Sequence, residues 1–144
     1  MLYHPAPDPE YKRPENMPQG YRNPRENGMD YEDVYVKTKD EVRLHAWLIK
    51  AAINPSNCRT LLFFHGNAGN IGARLPNIEI LVKRMNCNVL IVDYRGYGNS
   101  EGIPSEEGLR LDGEALLEHA LGRNDIDKDR IYLFGRSLGG AVAA

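Results

Sequence analysis

The stretch LFGRSLGGAVAA, residues 133–144, sets a serine at the centre of a G-x-S-x-G pattern immediately after an apolar run. A serine that is to attack a substrate must stand clear of the backbone. A sharp turn at a strand end achieves this only where the residues two before and two after carry almost no side chain, and Gly135 and Gly139 meet that demand around Ser137. Small residues come next, Gly140 first, so a helix can begin at the serine. Its unpaired backbone NH groups and partial positive charge would favour a developing oxyanion, with the NH of Leu138 as one expected donor.

Working outward, the pattern predicts a strand over 131–134, and two further unbroken apolar runs share its character, 61–64 and 89–92. Such runs belong to parallel strands covered by helices on both faces. Between the first two, Leu75, Ile78, Val82 and Met85 recur at helical spacing, with Pro76 suited to a first turn and Lys83 and Arg84 to a last one. Ser105 can cap a second helix whose first turn holds Glu106 and Glu107 and whose buried stripe includes Leu109, Leu116 and Ala120. Upstream, 34–38 and 42–49 alternate in hydrophobicity and predict two antiparallel strands around Lys39-Asp40-Glu41. His45 on the second of these is read as exposed or satisfied, not functional. The order is β, β, β, α, β, α, β and the start of a helix. That is an α/β fold of three αβα layers, a mostly parallel sheet with an antiparallel N-terminal hairpin.

The first thirty residues differ, holding six of the nine prolines among Tyr, Asn, Glu and Arg. Residues 1–30 are read as a passive extended arm, with a proline-motif ligand as the alternative, and 31–144 as the folded part. A formal charge of −2 and 42% hydrophobic residues describe an ordinary globular chain with no basic excess for nucleic acid. No segment has the length of a membrane span or a signal-peptide core, so the chain as given is expected to be soluble. Cys58 and Cys87 lack metal-ligand spacing and read as two reduced thiols at strand starts. Asp125, Asp127 and Asp129 imitate the start of a calcium loop, but Arg130 and Arg136 stand where glycine and glutamate are needed. No metal and no cofactor is expected.

In α/β sheets ligands bind beyond the carboxyl ends of the strands, and three glycine-rich loops fall there: HGNAGNIG (65–72), DYRGYGNSEG (93–102) and GRSLGG (135–140). The first, opened by His65 and Gly66, can supply the second oxyanion donor through the NH of Asn67, or else that of Ala68. A rival reading takes Gly66, Gly69, Gly72 and Asp93 as a dinucleotide fingerprint. It fails on spacing, because Asn67-Ala68 separates the first two glycines where one residue is needed.

FFHGNAGNIG, VDYRGYGNSEG and FGRSLGGAVA, in this order, resemble the α/β-hydrolase superfamily, and within it the branch of α/β-hydrolase domain-containing protein 13 with its bud-emergence 46 and wavy-growth relatives. The resemblance runs the length of the chain. It implies a serine hydrolase acting on an ester, thioester or amide, acyl-protein thioesterase activity included, with Ser137 as nucleophile and Asn67 and Leu138 shaping the oxyanion hole. It implies that the DYRGYG loop is mainly structural, and that relatives carry a membrane anchor ahead of a LYHP-like segment; His65, held in the oxyanion loop, is read from that position as structural. Where relatives tend to have glycine in the first hairpin turn, this chain has Glu41, which suits a positive φ less well.

In that superfamily the acid and histidine of the triad come after the serine, yet Leu138 to Ala144 include neither. His4, His65 and His119 are poor substitutes by position. The 144 residues are therefore expected to be the N-terminal half of a hydrolase domain, ending after the nucleophile strand and catalytically incomplete alone. An apolar edge at 131–134 would then invite self-association. The alternatives are a non-catalytic interaction module and, third, a nucleotide-binding domain.

Overall fold

The computed structural model describes Tyr3, residues 9–65 and residues 69–135. Two strands, β1 (Tyr31–Lys37) and β2 (Arg43–Ile49), pair antiparallel from Tyr31 opposite Ile49 to Lys37 opposite Arg43. Their turn is held by Thr38, whose hydroxyl accepts the Val42 NH at 2.9 Å and donates to Asp40 Oδ1 at 2.5 Å. Glu41 in that turn has φ +66°, the left-handed conformation for which a glycine is better suited.

Three more strands complete the sheet: β3 (Thr60–Phe64), β4 (Asn88–Val92) and β5 (Ile131–Gly135). The sheet order is β1-β2-β4-β3-β5, with β2 antiparallel to β4 and the β4-β3 and β3-β5 pairs parallel. Residues with alternate parity feed two cores. On one face Leu44, Leu48, Leu62, Phe64, Leu90 and Val92 pack with Leu109, Leu116 and Ala120 of the helix α2 (Glu106–Leu121). On the other, Trp47, Ile49, Phe63, Val89 and Ile91 pack with Ile71, Leu75, Ile78 and Val82. Helices on both faces of a mostly parallel sheet give the three expected layers, and they explain why β3 and β4 read as unbroken apolar runs.

α2 begins as expected, the Ser105 hydroxyl accepting the Gly108 NH at 3.0 Å. The other helical segment is less regular than its spacing predicts: a 3-10 turn (Ile71–Arg74), α1 (Leu75–Glu79) and a π turn (Ile80–Arg84) run on in series. The π turn bonds the Met85 NH to Ile80 O at 3.3 Å, five residues back, and so rotates the residues beyond it about the helix axis. Met85, expected on the buried stripe, is exposed as a result.

The proline-rich segment is folded where an extended arm is expected. Prolines open three single 3-10 turns, Pro9–Tyr11, Pro14–Asn16 and Pro24–Asn27, because a fixed φ suits a first helical position that needs no NH. Pro14 and Pro24 are buried. Both cysteines are free thiols, Cys87 buried and Cys58 partly so. Asp125 is engaged by Lys50 and Arg123, and Asp127 Oδ1 accepts the Asp129 NH at 3.0 Å, which makes the run of aspartates a polar turn. Among the described residues no acidic, His or Cys cluster is built to hold a metal, and no helix is long and apolar enough to cross a membrane.

Candidate active site

β3 and β5 run parallel with Phe64 opposite Gly135, so their carboxyl ends open side by side on the same edge of the molecule. Gly135 ends β5, and His65 is the first residue beyond β3. Of the residues the sequence nominates, these two are described. Ser137, Leu138, Gly139, Gly140, Gly66 and Asn67, with the alternative Ala68, lie outside the described residues.

His65 is wholly buried and sits in an aromatic box. Its ring stacks on Tyr94 with centroids 4.4 Å apart and meets Tyr97 edge-on at 5.3 Å, and its carbonyl accepts the Tyr94 hydroxyl at 2.7 Å. Its Nε2 lies 3.5 Å from Asp93 Oδ1 at the end of β4. The same oxygen accepts the Ile71 NH at 3.0 Å. One buried carboxylate thus faces both ends of the loop between His65 and Ile71. This geometry engages His65 with the fold, and it also bears on the nucleotide reading. Asp93, which would have to reach a ribose hydroxyl, is fully buried and turned inward.

The loop after β4 is locked from several sides. The Ser100 hydroxyl donates to Asp93 O at 2.6 Å and accepts the His45 NH at 2.8 Å. Arg95 reaches Asp112 on α2 through its NH (2.8 Å) and Nε (2.9 Å), and reaches both oxygens of Asp40 in the hairpin turn at 2.6 and 3.0 Å. Burial raises the carboxyl of Asp112 against the pull of Arg95, whereas hydrogen bonds from Arg95 and Thr38 hold Asp40 well below the usual carboxylate range. Burial also lifts the Tyr94 phenol far above its ordinary value, so it is a fixed donor to His65 O. Gly108 leaves room for the arginine, since a Cβ there would come within 2.6 Å of Arg95 Cδ. Sequence reading missed this clamp. Its one signal is an acidic residue on the apolar side of α2, at the turn between Leu109 and Leu116.

The remaining histidines are engaged elsewhere. His45 Nε2 lies 2.8 Å from Asp33, which also accepts from the Trp47 indole at 3.2 Å. His119 Nε2 faces Arg123 Nη1 at 3.1 Å, and partial burial with that cation lowers its pKa. His4 lies outside the described residues.

A family model described as the alpha/beta hydrolase fold matches residues 59–144. The alpha/beta hydrolase domain-containing protein WAV2 of Arabidopsis thaliana is 53% identical over 116 residues, 79% of this chain and 37% of its own length. Protein bem46 of Schizosaccharomyces pombe is 42% identical over 90% of this chain and 45% of its own. An uncharacterized membrane protein of Saccharomyces cerevisiae, YNL320W, is 43% identical over 87% and 44%. Among solved structures, a Pyrococcus furiosus esterase, Pf2001, superposes with a TM-score of 0.72 at 30% identity, covering 84% of this chain and 45% of that one. The chain thus spans less than half the length of these relatives. The branch that the three glycine loops resemble is the branch to which the first two relatives belong.

Proposed function

The chain belongs to the alpha/beta hydrolase fold family, and from that premise we propose that it carries the nucleophile of a serine hydrolase acting on carboxylic esters or thioesters, acylated protein among them, or on amides. Ser137 Oγ attacks the substrate carbonyl carbon and its proton passes to a base. The carbonyl oxygen becomes an oxyanion held by the NH groups of Leu138 and Asn67. Collapse breaks the bond to the leaving group, which takes the proton, and water then releases the acid by the same route. Each oxyanion donor is worth about 3 kcal/mol in such sites. The acid and the histidine base belong, in this proposal, to the length that the relatives have and these residues do not span. Supporting it is one observation above all: the G-x-S-x-G pattern starts on the last residue of β5, beside the end of β3 from which the His-Gly loop departs.

The test is hydrolysis of p-nitrophenyl esters and acyl thioesters by the full-length protein. The expected result is turnover that Ser137→Ala lowers to background. Unchanged turnover in that variant, or none in the wild type, would refute the assignment. Membrane association is part of the same proposal, supported by the name of the Saccharomyces relative. Its check is pelleting of the full-length protein with membranes.

A second reading, an interaction module that joins another copy through β5, is favoured by Tyr132, Leu133 and Phe134, exposed by 49%, 48% and 38% on a strand that only β3 pairs among the described residues. A cooperative monomer of the 144-residue chain at all concentrations would remove its support.

A further inference from the structure

The residues on either side of the loop proposed to bear the second oxyanion donor, His65 and Asn70, are both anchored. His65 is fixed as described, and five residues on Asn70 is fully buried with its amide completely engaged. Its Oδ1 accepts the Gly72 NH at 2.8 Å, which caps the 3-10 turn. Its Nδ2 donates to the carbonyls of Tyr11 and Lys12 at 2.9 and 3.1 Å, in the proline-rich segment. A second contact lies next to it, because a Cβ on Gly72 would overlap Tyr21 O. A third joins the same segment to the loop after β4, Asn99 Nδ2 donating to Glu15 Oε1 at 2.8 Å. The segment therefore lies against the two loops at the carboxyl end of the sheet.

We propose that residues 9–28 are a strap belonging to the active site, and that Asn70 is the positioning residue through which the strap sets the 66–69 loop for oxyanion binding. A buried amide that bridges two segments loses two hydrogen bonds if the segments part, so the position of Asn70 is tied to the strap being seated. Asn67 is two residues from His65 and three from Asn70, and a shift of about 1 Å in a donor can cost on the order of 100-fold in rate. The inference rests on the serine hydrolase reading and deepens it.

Two variants test the strap, and the first of them keeps the cap. Asn70→Ser keeps an oxygen for the Gly72 NH but loses the reach to Tyr11 and Lys12. Gly72→Ala pushes on Tyr21 O, 2.2 Å from the added Cβ, and crowds Asn70 Oδ1 at 2.9 Å. In the full-length protein each should slow labelling of Ser137 by a fluorophosphonate and lower kcat for a p-nitrophenyl ester by roughly 10- to 100-fold, with KM within about twofold. The double variant should be little worse than the poorer single one, since both unseat the same strap. To keep folding out of the comparison, a specific protease site placed between Asn27 and Gly28 allows the strap to be cut and stripped after the protein has folded, with the same loss expected. Wild-type labelling rates after stripping, or in folded Asn70→Ser, would overturn the strap and leave the hydrolase reading standing. A wild type that does not label would fail the hydrolase reading itself.

Discussion

At the scale of single residues, strain and unshared charge make the sharpest predictions. Glu41 holds φ +66° in the β1-β2 turn, with its side chain exposed to solvent. Glu41→Gly should stabilise the protein by about 1 kcal/mol in denaturant unfolding, the cost of a left-handed L-residue outweighing the added freedom of glycine in the unfolded chain. Gly98 is the reverse case, with φ +50° and no room for a Cβ beside Asp93 Oδ2. Gly98→Ala should destabilise by about 2 kcal/mol or more, because Asp93 is pinned by the Ile71 NH and cannot yield. Arg95→Met would leave Asp112 buried without its cation and should cost about 3 to 5 kcal/mol, most of it recovered when Asp112→Leu is added. These residues were legible only in part. A turn glycine can be anticipated from its position, whereas Arg95 and Asp112 are joined across 17 residues by a loop whose path the sequence does not reveal.

At the scale of elements, the strands were the most readable, because the runs at Leu61 and Val89 are apolar on both faces, as a covered parallel sheet requires, whereas the run at Ile131 forms a strand that is largely exposed instead of covered. The Ser105 cap was equally plain. The helix before β4 was not, since a π turn leaves no mark in a hydrophobic pattern beyond one residue, Met85, falling out of phase. The proline-rich turns were missed for a related reason: proline spacing signals that regular structure is interrupted, while the burial of Pro14 and Pro24 depends on distant surfaces. The C-terminal turn of α2 supplies the pH prediction. His119 is partly desolvated and faces Arg123, so its folded pKa lies below its unfolded value near 6.5. The unfolded chain then binds the proton more readily. The contribution of neutral His119 is present above the unfolded pKa and is lost as pH falls through the folded one. Stability measured by denaturant between about pH 7.5 and 5 should decline, and His119→Gln should flatten part of that decline.

At the scale of the molecule, two features bear on the site that no single element shows. The first is the proposed strap, which makes the proline-rich segment a wall of the site instead of a passive arm. The second is β5, which among the described residues only β3 pairs and on which Tyr132, Leu133 and Phe134 are exposed. A 144-residue chain should self-associate through it, and Leu133→Lys should shift sedimentation towards monomer, because charge on an edge strand opposes pairing. The placement of glycine-rich loops after β3, β4 and β5 was legible, since the apolar runs mark the strand ends, while most of the nominated site residues lie outside the described ones. What was not legible is how those loops are held: Asp93 turned inward, Asn70 tied to Tyr11 and Lys12, and Tyr94 bonded to His65 are long-range contacts. The central claim is that Ser137 is the nucleophile of a hydrolase. The most direct measurement is fluorophosphonate treatment of the full-length protein followed by mass mapping of the adduct. The account predicts one phosphonate, on Ser137, lost in Ser137→Ala; an adduct on another residue, or none on an active preparation, would contradict it.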